Sequence, residues 1–565
     1  MNSAERIFLL TRRAFGLISV SFLLLGATIA QPVPASYFQN LPFEMPPVSP
    51  PIFRDTAFNI VDFGAVGNDK TLNTAAINDA IEACSKSGGG TVNVPAGMWL
   101  TGPIMLRDSV RFNLEEGALV QFSSKIDDFP LIAGFDGKSK HFIVTPPLYA
   151  YRARNIAITG SGIFDGAGEV WRYVKKEKLT ARQWKQLTSS GGVVSPDGSE
   201  WWPSKEALEG QQYLAHIEHS AKTLTAADYA KAREYLRPDM VRLVQCDGIL
   251  LDGPTFRNSP RFHLHPVQCE NMIVRNVKVQ TDWYAQNGDG CDLSACRNVV
   301  VYKTTVDVGD DGFCIKPSRI AKTQKEGPSC QNIIFADCIV YHAHGGFVIG
   351  SESERGASNI LVRNCIFMGT DVGLRFKSLR GKGGVIENIY VDGVRMRAIQ
   401  NEAILFDMYY GGGSPEDEAT KKRAESKAVP VNDLTPRFQD FDLRNIVCDG
   451  ASRAVLIDGL PEMPVKNITM TNLSIAARSS CLLQDAEGIV MDSVRLSFNK
   501  GAAFDIHNCS NVSIRHVTVP PNTTLYLKVV GERSRAIRAL RVDAQQAKQG
   551  VEIGPDVVKD AVTFE

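Results

Sequence analysis

Four polar clusters between Asn287 and Lys377 hold the residue types best suited to chemistry. Short β-branched runs separate them at a roughly constant distance, so the clusters belong to a repeat as well as to a candidate site. The four clusters are Asn287-Gly288-Asp289-Gly290, Gly309-Asp310-Asp311-Gly312, Ala343-His344-Gly345-Gly346 and Arg375-Phe376-Lys377.

The carboxylates of the first two clusters predict acid–base chemistry. Asp310 follows Asp289 by 21 residues, one repeat, so the two side chains are expected to stack at about 4.8 Å. Three clustered carboxylates cannot all ionise easily, so one is expected to have a raised pKa and act as an acid. A second carboxylate, still ionised, can then activate water. His344 is expected one repeat further on.

The last cluster supplies two cations. Positions i and i+2 of a strand face the same way, so Arg375 and Lys377 are predicted to present a fixed double cation. Such a pair suits a substrate carboxylate, which Arg can bind with two hydrogen bonds. Four successive repeats would carry a polar strip about 15 Å long, room for a few sugar rings. The residues therefore indicate hydrolysis of a glycosidic bond in an acidic sugar polymer.

The element that must position these residues is a recurring short strand. Each strand opens with Asn and alternating apolar residues, and the spacing is 22 to 34 residues where no long loop intervenes. Short strands and turn residues without intervening helices predict parallel coils stacked along an axis. The Asn is expected to be an inward turn residue that bonds to its neighbours in the coils above and below. Examples begin at Asn155, Asn271, Asn298, Asn332, Asn359, Asn388, Asn445, Asn467 and Asn511.

The same pattern divides the chain into one domain with additions. An amphipathic helix from Asn73, as its cap, through Ala83 is expected to cover the open end of the first coil. Within the insertion two helix-like segments are expected, and Trp201-Trp202 there could stack on a sugar or anchor the loop. The predicted parts are a signal peptide at 1–30, a Pro-rich arm at 31–55, coils at 56–540, an insertion at 167–238 with helices at 180–187 and 225–236, an exposed loop at 411–435 and a C-terminal tail at 541–565.

Composition limits the partners and the compartment. Lys plus Arg and Asp plus Glu both number 62 in 565 residues, so bulk charge recruits neither nucleic acid nor a membrane. Arg12 and Arg13 before an apolar run, and Thr28-Ile29-Ala30 after it, predict export to the periplasm or outside the cell. The pair of arginines also fits a twin-arginine route, and an uncleaved anchor is the alternative.

Cysteine spacing predicts thiols rather than a disulfide framework. Five of the twelve cysteines are separated by 23, 22, 23 and 24 residues, which is the period of an inward position in a repeat. A buried thiol ladder is therefore expected, with one or two local bridges left open elsewhere. The five are Cys246, Cys269, Cys291, Cys314 and Cys338.

The four polar clusters, taken in their order along the chain, resemble the motifs of glycoside hydrolase family 28, the polygalacturonases and their relatives. The resemblance extends over roughly residues 56–530. The resemblance implies an all-β fold, a single right-handed parallel β-helix, and hydrolysis with inversion without a metal or other cofactor. It implies Asp310 as the general acid, with Asp289 and Asp311 holding and deprotonating the water. Inversion requires the acid and base to lie about 6.5–9.5 Å apart.

The resemblance also assigns supporting roles. His344 would maintain the charge state of the acid, and Arg375 and Lys377 would bind galacturonate. The remaining predicted substrate-binding residues are Asn287, His265, Tyr409 and Tyr410. For His265 a structural role is the alternative. Tyr409 and Tyr410 compete for the single tyrosine position of the family.

Some motif positions depart from the family pattern. Gly288 replaces Thr, Ala343 replaces Gly and Phe376 replaces Ile, and Gly288 and Phe376 could alter neighbouring subsites. The insertion at 167–238 resembles those of exo-acting relatives.

The expected protein is a monomeric, exported, exo-acting enzyme on an acidic plant cell-wall polysaccharide or oligogalacturonide. The alternatives are a rhamnogalacturonan hydrolase, a calcium-dependent pectate lyase and a non-catalytic β-helical carbohydrate-binding protein.

Overall fold

A computed structural model of the protein describes residues 27–29, 31–134, 141–219, 224–318, 327, 329–411, 427–540, 547–558 and 560–565. Most of the predicted export signal lies outside these residues. So does the middle of the loop predicted at 411–435, whose residues 427–434 are exposed as expected. In the described part of the chain, no helix combines the length and apolar character needed to cross a membrane.

Successive coils stack into one right-handed parallel β-helix, which confirms the predicted fold class. One face of the coils is a parallel sheet of fourteen strands, here named the cleft sheet. Its strands are Ile104–Met105, Leu148–Tyr151, Val241–Val244, Leu264–Val267, Cys291–Ser294, Phe313–Lys316, Gly345–Ile349, Val372–Lys377, Glu402–Asp407, Arg453–Asp458, Ser479–Gln484, Lys500–His507, Thr523–Val530 and Ala547–Ile553.

The other faces form a bent sheet of 25 strands, in which a longer and a shorter strand of each coil usually follow one another. Its strands are Ala57–Asn59, Gly90–Val94, Gly97–Thr101, Val110–Leu114, Ala118–Phe122, Arg154–Gly160, Ile163–Asp165, Asp247–Asp252, Thr255–Arg257, Glu270–Arg275, Lys278–Gln280, Arg297–Tyr302, Thr305–Asp307, Cys330–Ala336, Ile339–Tyr341, Ala357–Arg363, Ile366–Met368, Val385–Asp392, Arg395–Arg397, Arg437–Asp449, Val465–Ala476, Ala486–Ser497, Ser510–Thr518, Arg535–Leu540 and Val562–Phe564.

Inward side chains of all faces fill a continuous core. In the strand Val110–Leu114 every second residue is buried, the period that a strand with one covered face requires. Rings stack between coils, as in Phe164 on Phe256 with centroids 5.2 Å apart. Phe376 lies 4.6 Å from Phe406 in the same core and is fully buried, so the expectation that it shapes a subsite is wrong.

The register of the cleft sheet corrects the predicted alignment of the polar clusters. Cys291 pairs with Phe313, an offset of 22 residues, so Asp289 lies opposite Asp311 rather than Asp310. Asp310 instead lies opposite His344, whose backbone N–H donates to the Asp310 carbonyl. Arg375 pairs with Val348 and therefore lies further along its strand than His344 does. The polar residues form a two-dimensional patch instead of a single strip.

The Asn residues that open the strands stack as predicted, but not inward. Asn298, Asn332 and Asn359 all adopt φ between 53° and 58°, a left-handed conformation that Asn tolerates better than most residues. The side-chain amide of Asn332 donates to Asn298, and that of Asn359 donates to Asn332, each at 3.1 Å. These side chains are half-buried at the turn, so the ladder runs along the edge of the coil.

The N-terminal helix closes the first coil as predicted. Helix α1, Thr74–Lys86, buries Ile77, Ala80, Ile81 and Cys84 against the core. Asn73 precedes it, but its side chain makes no capping bond to the helix. It accepts from the Val66 N–H at 2.7 Å and donates to the Leu100 carbonyl at 3.1 Å, which ties the preceding turn to the coil.

The Pro-rich arm packs along the outside of the coils. An outward apolar stack, one residue per coil, includes Ile273, Val300 and Ile334 and would otherwise face water. Buried residues of the arm, among them Tyr37 and Phe53, cover it, and the Tyr37 hydroxyl donates to Asp337 at 2.7 Å. The antiparallel strands Ala27–Ile29 and Ile52–Arg54 pair at its ends.

The insertion contains more helix than predicted. Helix α2, Ala181–Ser189, matches the first predicted segment and is capped by Thr180 in a capping box. The prediction at 225–236 is wrong in extent, because helix α4 spans only Ala226–Ala230. Helix α3, Lys205–Glu218, was not predicted. Small antiparallel sheets pair Leu131–Ala133 with Phe142–Val144, and Glu200–Trp202 with Val174–Lys175 and Val193–Val194.

The C-terminal segment differs from the predicted tail. Its strands Ala547–Ile553 and Val562–Phe564 pair in parallel with preceding strands of the cleft and bent sheets. The coils therefore continue to the end of the chain.

All twelve cysteines are free and buried, which confirms thiols and leaves no local bridge. The predicted ladder mixed several positions. Cys246, Cys269 and Cys296 share one turn position, where each Sγ approaches the carbonyl two residues earlier. Cys291 lies within a strand and pairs with Phe313, not with Cys314.

Candidate active site

Asp310 is the most exposed of the three predicted catalytic carboxylates. It lies in the turn before the strand Phe313–Lys316, and its side chain is 16% exposed. Its Oδ1 lies 3.0 Å from Nδ1 of His344, and its Oδ2 accepts from the Asn287 backbone N–H at 3.2 Å. His342, two residues earlier, instead contacts Asp307 on another face.

Lys178 reaches this pair from the insertion. It is the last residue of a short 3₁₀ turn, Lys176–Lys178, and its Nζ lies 3.1 Å from Nε2 of His344 and 3.2 Å from the Gly309 carbonyl oxygen. An ammonium group can only donate, so Nε2 must accept and the ring proton must be on Nδ1, facing Asp310. The contact therefore fixes both the tautomer and the orientation of His344.

Asp311 is paired with both predicted cations. Lys377 Nζ donates to its Oδ2 at 2.7 Å, and Arg375 Nη1 lies 3.5 Å from its Oδ1. The aromatic ring of Tyr410 lies 4.8 Å from Lys377 Nζ and 5.6 Å from the Arg375 guanidinium. Tyr409 instead stacks beside Arg380, so Tyr410 is the tyrosine at the cation pair.

Asp289 is buried, as Asp311 is, but has a different set of neighbours. Its Oδ2 lies 3.5 Å from Lys316 Nζ, which also lies 3.6 Å from Asp292 and 4.0 Å from Glu352. The other carboxylate oxygen of Asp289 is buried without a hydrogen-bond partner among the described residues.

The three carboxylates have opposite pKa shifts. Burial and the charges of Asp292 and Asp310 raise the pKa of Asp289 well above its ordinary value. Burial would also raise the pKa values of Asp310 and Asp311. The hydrogen bond from His344 and the charges of Lys377 and Lys316 outweigh it at Asp310, and the charges of Lys377 and Arg375 outweigh it at Asp311, so both pKa values are lowered. In the free enzyme the expected raised pKa thus belongs to Asp289.

A nearby carboxyl extends this proton-holding region. Burial raises the pKa of Asp292 to about 7, although Lys316 lowers it. The charges of Asp292 and Asp289 keep the pKa of Lys316 well above its ordinary value despite burial. Full ionisation of both Asp289 and Asp292 is therefore disfavoured.

Asp289 and Asn287 are held by residues of the preceding coils and the insertion. His263 is fully buried, and its Nδ1 lies 3.0 Å from the Asp289 carbonyl oxygen. Arg237 donates through Nη2 to Oδ1 of Asn287 at 2.8 Å and through Nη1 to the Gln286 carbonyl at 2.8 Å. The Asn287 amide oxygen is thus engaged in a protein contact.

His265 occupies a supporting position below the cleft surface. Its Nδ1 lies 2.6 Å from Asp239 and its Nε2 lies 2.9 Å from the Ser294 hydroxyl, so both ring nitrogens are engaged. The side chain is buried, which favours the structural alternative over a direct substrate contact.

Asp310, Asp311 and His344 also present one ligand atom each within 4.8 Å of one another, a set that could hold a metal ion. A metal ion there would lie close to two ammonium groups, because Lys178 already donates to His344 and Lys377 already donates to Asp311. The positive neighbours therefore disfavour a divalent ion at this position.

The residues that the sequence did not reveal are Lys178, Arg237, Lys316, His263 and Asp292. Lys178 and Arg237 come from the insertion, 166 and 50 residues from their side-chain partners, so no local spacing connects them. Lys316 and Asp292 had a usable signal, because both lie in strands that directly follow the polar clusters.

A coiled parallel scaffold with an acidic cluster, a histidine and paired cations on one sheet defines the class: this is a β-helical glycoside hydrolase. The chain belongs to family 28 of the glycosyl hydrolases, whose family model matches residues 84–484.

Individual relatives agree with this assignment. The exo-poly-α-D-galacturonosidase of Dickeya chrysanthemi is 26% identical over 483 residues, which are 82% of this chain and 75% of that protein. A probable polygalacturonase of Vitis vinifera is 26% identical over 77% of this chain and 78% of its own length. The crystal structure of a hyperthermoactive exopolygalacturonase from Thermotoga maritima matches with a TM-score of 0.62 and 26% identity, and covers 82% of this chain and 94% of that chain.

Proposed function

We propose that the protein is an exported polygalacturonase that removes sugars from the end of pectin-type chains by inverting hydrolysis. The observation that carries this proposal is the convergence of Lys377 and Arg375 on Asp311, beside Asp310 and Asp289. Two cations next to an acid–base cluster suit a substrate that carries its own carboxylate. The relatives described above support galacturonate as that acid.

In the proposed reaction Asp310 protonates the leaving glycosidic oxygen. Its exposure, greater than that of Asp289 or Asp311, and its contact with His344 support this role. Asp289 and Asp311 hold a water on the opposite side of the ring; its oxygen forms the new bond to the anomeric carbon as the glycosidic bond breaks, and its proton passes to the carboxylates. One inverted sugar and one free hydroxyl result.

The proton must move to Asp310 before the bond breaks. In the free enzyme the lowered pKa of Asp310 and the raised pKa of Asp289 favour the proton on Asp289. A substrate carboxylate beside Arg375 and Lys377 offsets the positive charge that helps keep Asp310 ionised. Binding the correct substrate therefore raises the pKa of the acid that its cleavage requires.

The insertion supports action at a chain end. It contributes Lys178 to His344 and Arg237 to Asn287, so it contacts the catalytic groups themselves. Its Trp202 is buried and stacks on Tyr173 with centroids 4.4 Å apart, which supports the loop anchor over the sugar platform. A rigid wall at this position would stop a polymer from running past the cleavage point.

The test is a time course of products from polygalacturonate and rhamnogalacturonan. We expect saturated galacturonate monomer from polygalacturonate at the earliest time, with the new reducing end in the inverted anomeric form by NMR. A ladder of intermediate lengths would contradict exo action, and preferential cleavage of rhamnogalacturonan would reassign the substrate. Unsaturated products that disappear with EDTA would contradict hydrolysis.

A further inference from the structure

A cavity of about 160 Å³ lies between the end of the insertion and the coils that precede the acidic cluster. Arg242, from the strand Val241–Val244, lines it two coils before the strand Cys291–Ser294 that follows Asp289. Arg375 and Lys377 belong to a strand two coils after Phe313–Lys316. The cavity and the cation pair thus lie on opposite sides of the catalytic carboxylates along the axis.

The cavity carries excess positive charge. Arg237, Arg242 and Arg261 line it, against the single carboxylate of Asp239. Asp239 is 1% exposed and accepts from Arg242 and Arg261 at 2.6 Å each. Burial opposes ionisation of Asp239, but Arg261, His265 and Arg242 hold its pKa well below the ordinary value.

His265 does not add to this charge near neutral pH, because burial lowers its pKa to about 4. The walls therefore hold a formal charge of +2 near neutral pH. Each guanidinium has five N–H donors, so one carboxylate cannot satisfy all three groups. The remainder of the wall is Tyr235 and apolar side chains such as Ile143 and Leu236. A small cavity with surplus donors and an apolar side suits a carboxylate attached to a sugar ring.

Contacts connect the cavity to the catalytic residues. Arg237 bonds to Asn287, whose backbone N–H donates to Asp310. Arg261 lies 4.6 Å and Lys316 5.0 Å from the ring of Phe262, and Lys316 contacts Asp289. Two strand spacings, roughly 9.6 Å, separate the coil of Arg242 from that of Asp289, a reach on the scale of neighbouring sugar rings.

We propose that this arginine-lined cavity binds the carboxylate of the terminal galacturonate, on the side of the scissile bond opposite Arg375 and Lys377. The two anion sites then hold the two rings that flank the bond to be broken. The proposal rests on the proposed polygalacturonase function and adds the recognition of the ring that is released. It makes Arg261 and Arg242 substrate-binding residues, with Asp239 and His265 positioning them.

The test uses the shortest galacturonide that the wild-type protein hydrolyses, and its two mono-methyl esters at the rings flanking the cleaved bond. Each ester replaces a carboxylate charge, and loss of a charge-assisted contact should lower kcat/KM by about tenfold to a hundredfold. Arg261→Gln should lower kcat/KM for the acid and abolish the penalty for one ester only. Arg257→Gln is the control, since Arg257 pairs with Asp165 elsewhere on the coil.

The outcomes are distinct. An equal loss for the acid and both esters in Arg261→Gln, with Tm unchanged, would overturn the subsite. So would a wild-type protein that hydrolyses the acid and both esters equally well. Arg242→Gln replaces Arg261→Gln if the latter does not fold, and the same selective loss is expected. If the wild-type protein hydrolyses no galacturonide, the proposed function fails instead of the subsite.

Discussion

Asp310 and His344 depend on a residue from a distant segment. Lys178 fixes the His344 proton on Nδ1, where it faces Asp310, and burial lowers the pKa of Lys178 itself. The lysine therefore acts through His344 and through its charge.

Asp310→Asn removes the proton donor and leaves a side chain of the same size. We expect kcat on polygalacturonate to fall by about 10²–10⁴-fold while galacturonide binding is retained, because general acid catalysis is worth that much. Steady-state rates and isothermal titration with a trimer would measure both. Asp307→Asn, beside His342, is the matched control and should keep the wild-type rate. Full activity in Asp310→Asn would refute the acid assignment.

Lys178→Met removes a cation near Asp310. The carboxylate cluster titrates as a unit, so loss of a neighbouring positive charge should raise its macroscopic pKa. The reaction needs the cluster's proton, so activity falls as pH rises through that pKa. The alkaline limb of kcat/KM should therefore move to higher pH, with kcat reduced by the loosened His344. Lys185→Met, on the exposed face of helix α2, should leave the limb in place. An unshifted limb would mean that Lys178 only packs the loop.

At the level of elements, the repeat was readable because each coil places one Asn, one apolar alternation and one polar turn at similar positions. The repeat did not predict the register between neighbouring strands of the cleft sheet. Asp310 follows Asp289 by 21 residues, whereas the hydrogen-bonded strands at this coil are offset by 22 residues, so Asp289 lies opposite Asp311. Turn geometry decides that single residue, and the apolar pattern does not encode it.

The insertion was less predictable for a physical reason. Its helices form mainly through tertiary packing, as where Leu214 of helix α3 packs against Tyr229 and Ala232. Its catalytic contacts join residues up to 166 apart in sequence. The four motif clusters were visible from the sequence, but the residues that fix them from outside were not.

The Asn ladder gives a prediction for a single element. In Asn332→Ala the bonds to Asn298 and from Asn359 are lost, and alanine must adopt the left-handed φ of 58°. Hydrogen-bond loss costs about 1 kcal/mol per bond and the backbone strain about 1–2 kcal/mol, so the unfolding free energy should fall by about 2–4 kcal/mol. Asn332→Gly loses the same bonds without the strain and should retain about 1 kcal/mol more stability, relative to Ala. Equal denaturation midpoints for the two variants would exclude the strain contribution.

For the whole molecule, the capping helix and the buried thiols belong to one continuous core inside the coils, and the arm covers a second apolar cluster on their outside. The buried histidines beneath the cleft tie the stability of this core to pH. His263 donates to the Asp289 carbonyl and accepts from the Ser259 N–H at 3.3 Å, so it is held as the neutral ring.

The last prediction concerns unfolding as the pH falls. Burial lowers the pKa of His263 to about 4 in the folded protein, whereas the unfolded chain has the ordinary value of about 6.5. Below pH 6.5 only the unfolded chain takes the proton. The stability that neutral His263 provides is therefore present above that pH and lost as pH falls toward 4, by about 3 kcal/mol in total.

His263→Gln should unfold more easily at pH 7 yet show a shallower decline of the denaturation midpoint between pH 6.5 and 4.5. His219→Gln, at the exposed end of helix α3, should keep the wild-type decline. Parallel declines in His263→Gln and the wild-type protein would show that other groups set the acid sensitivity.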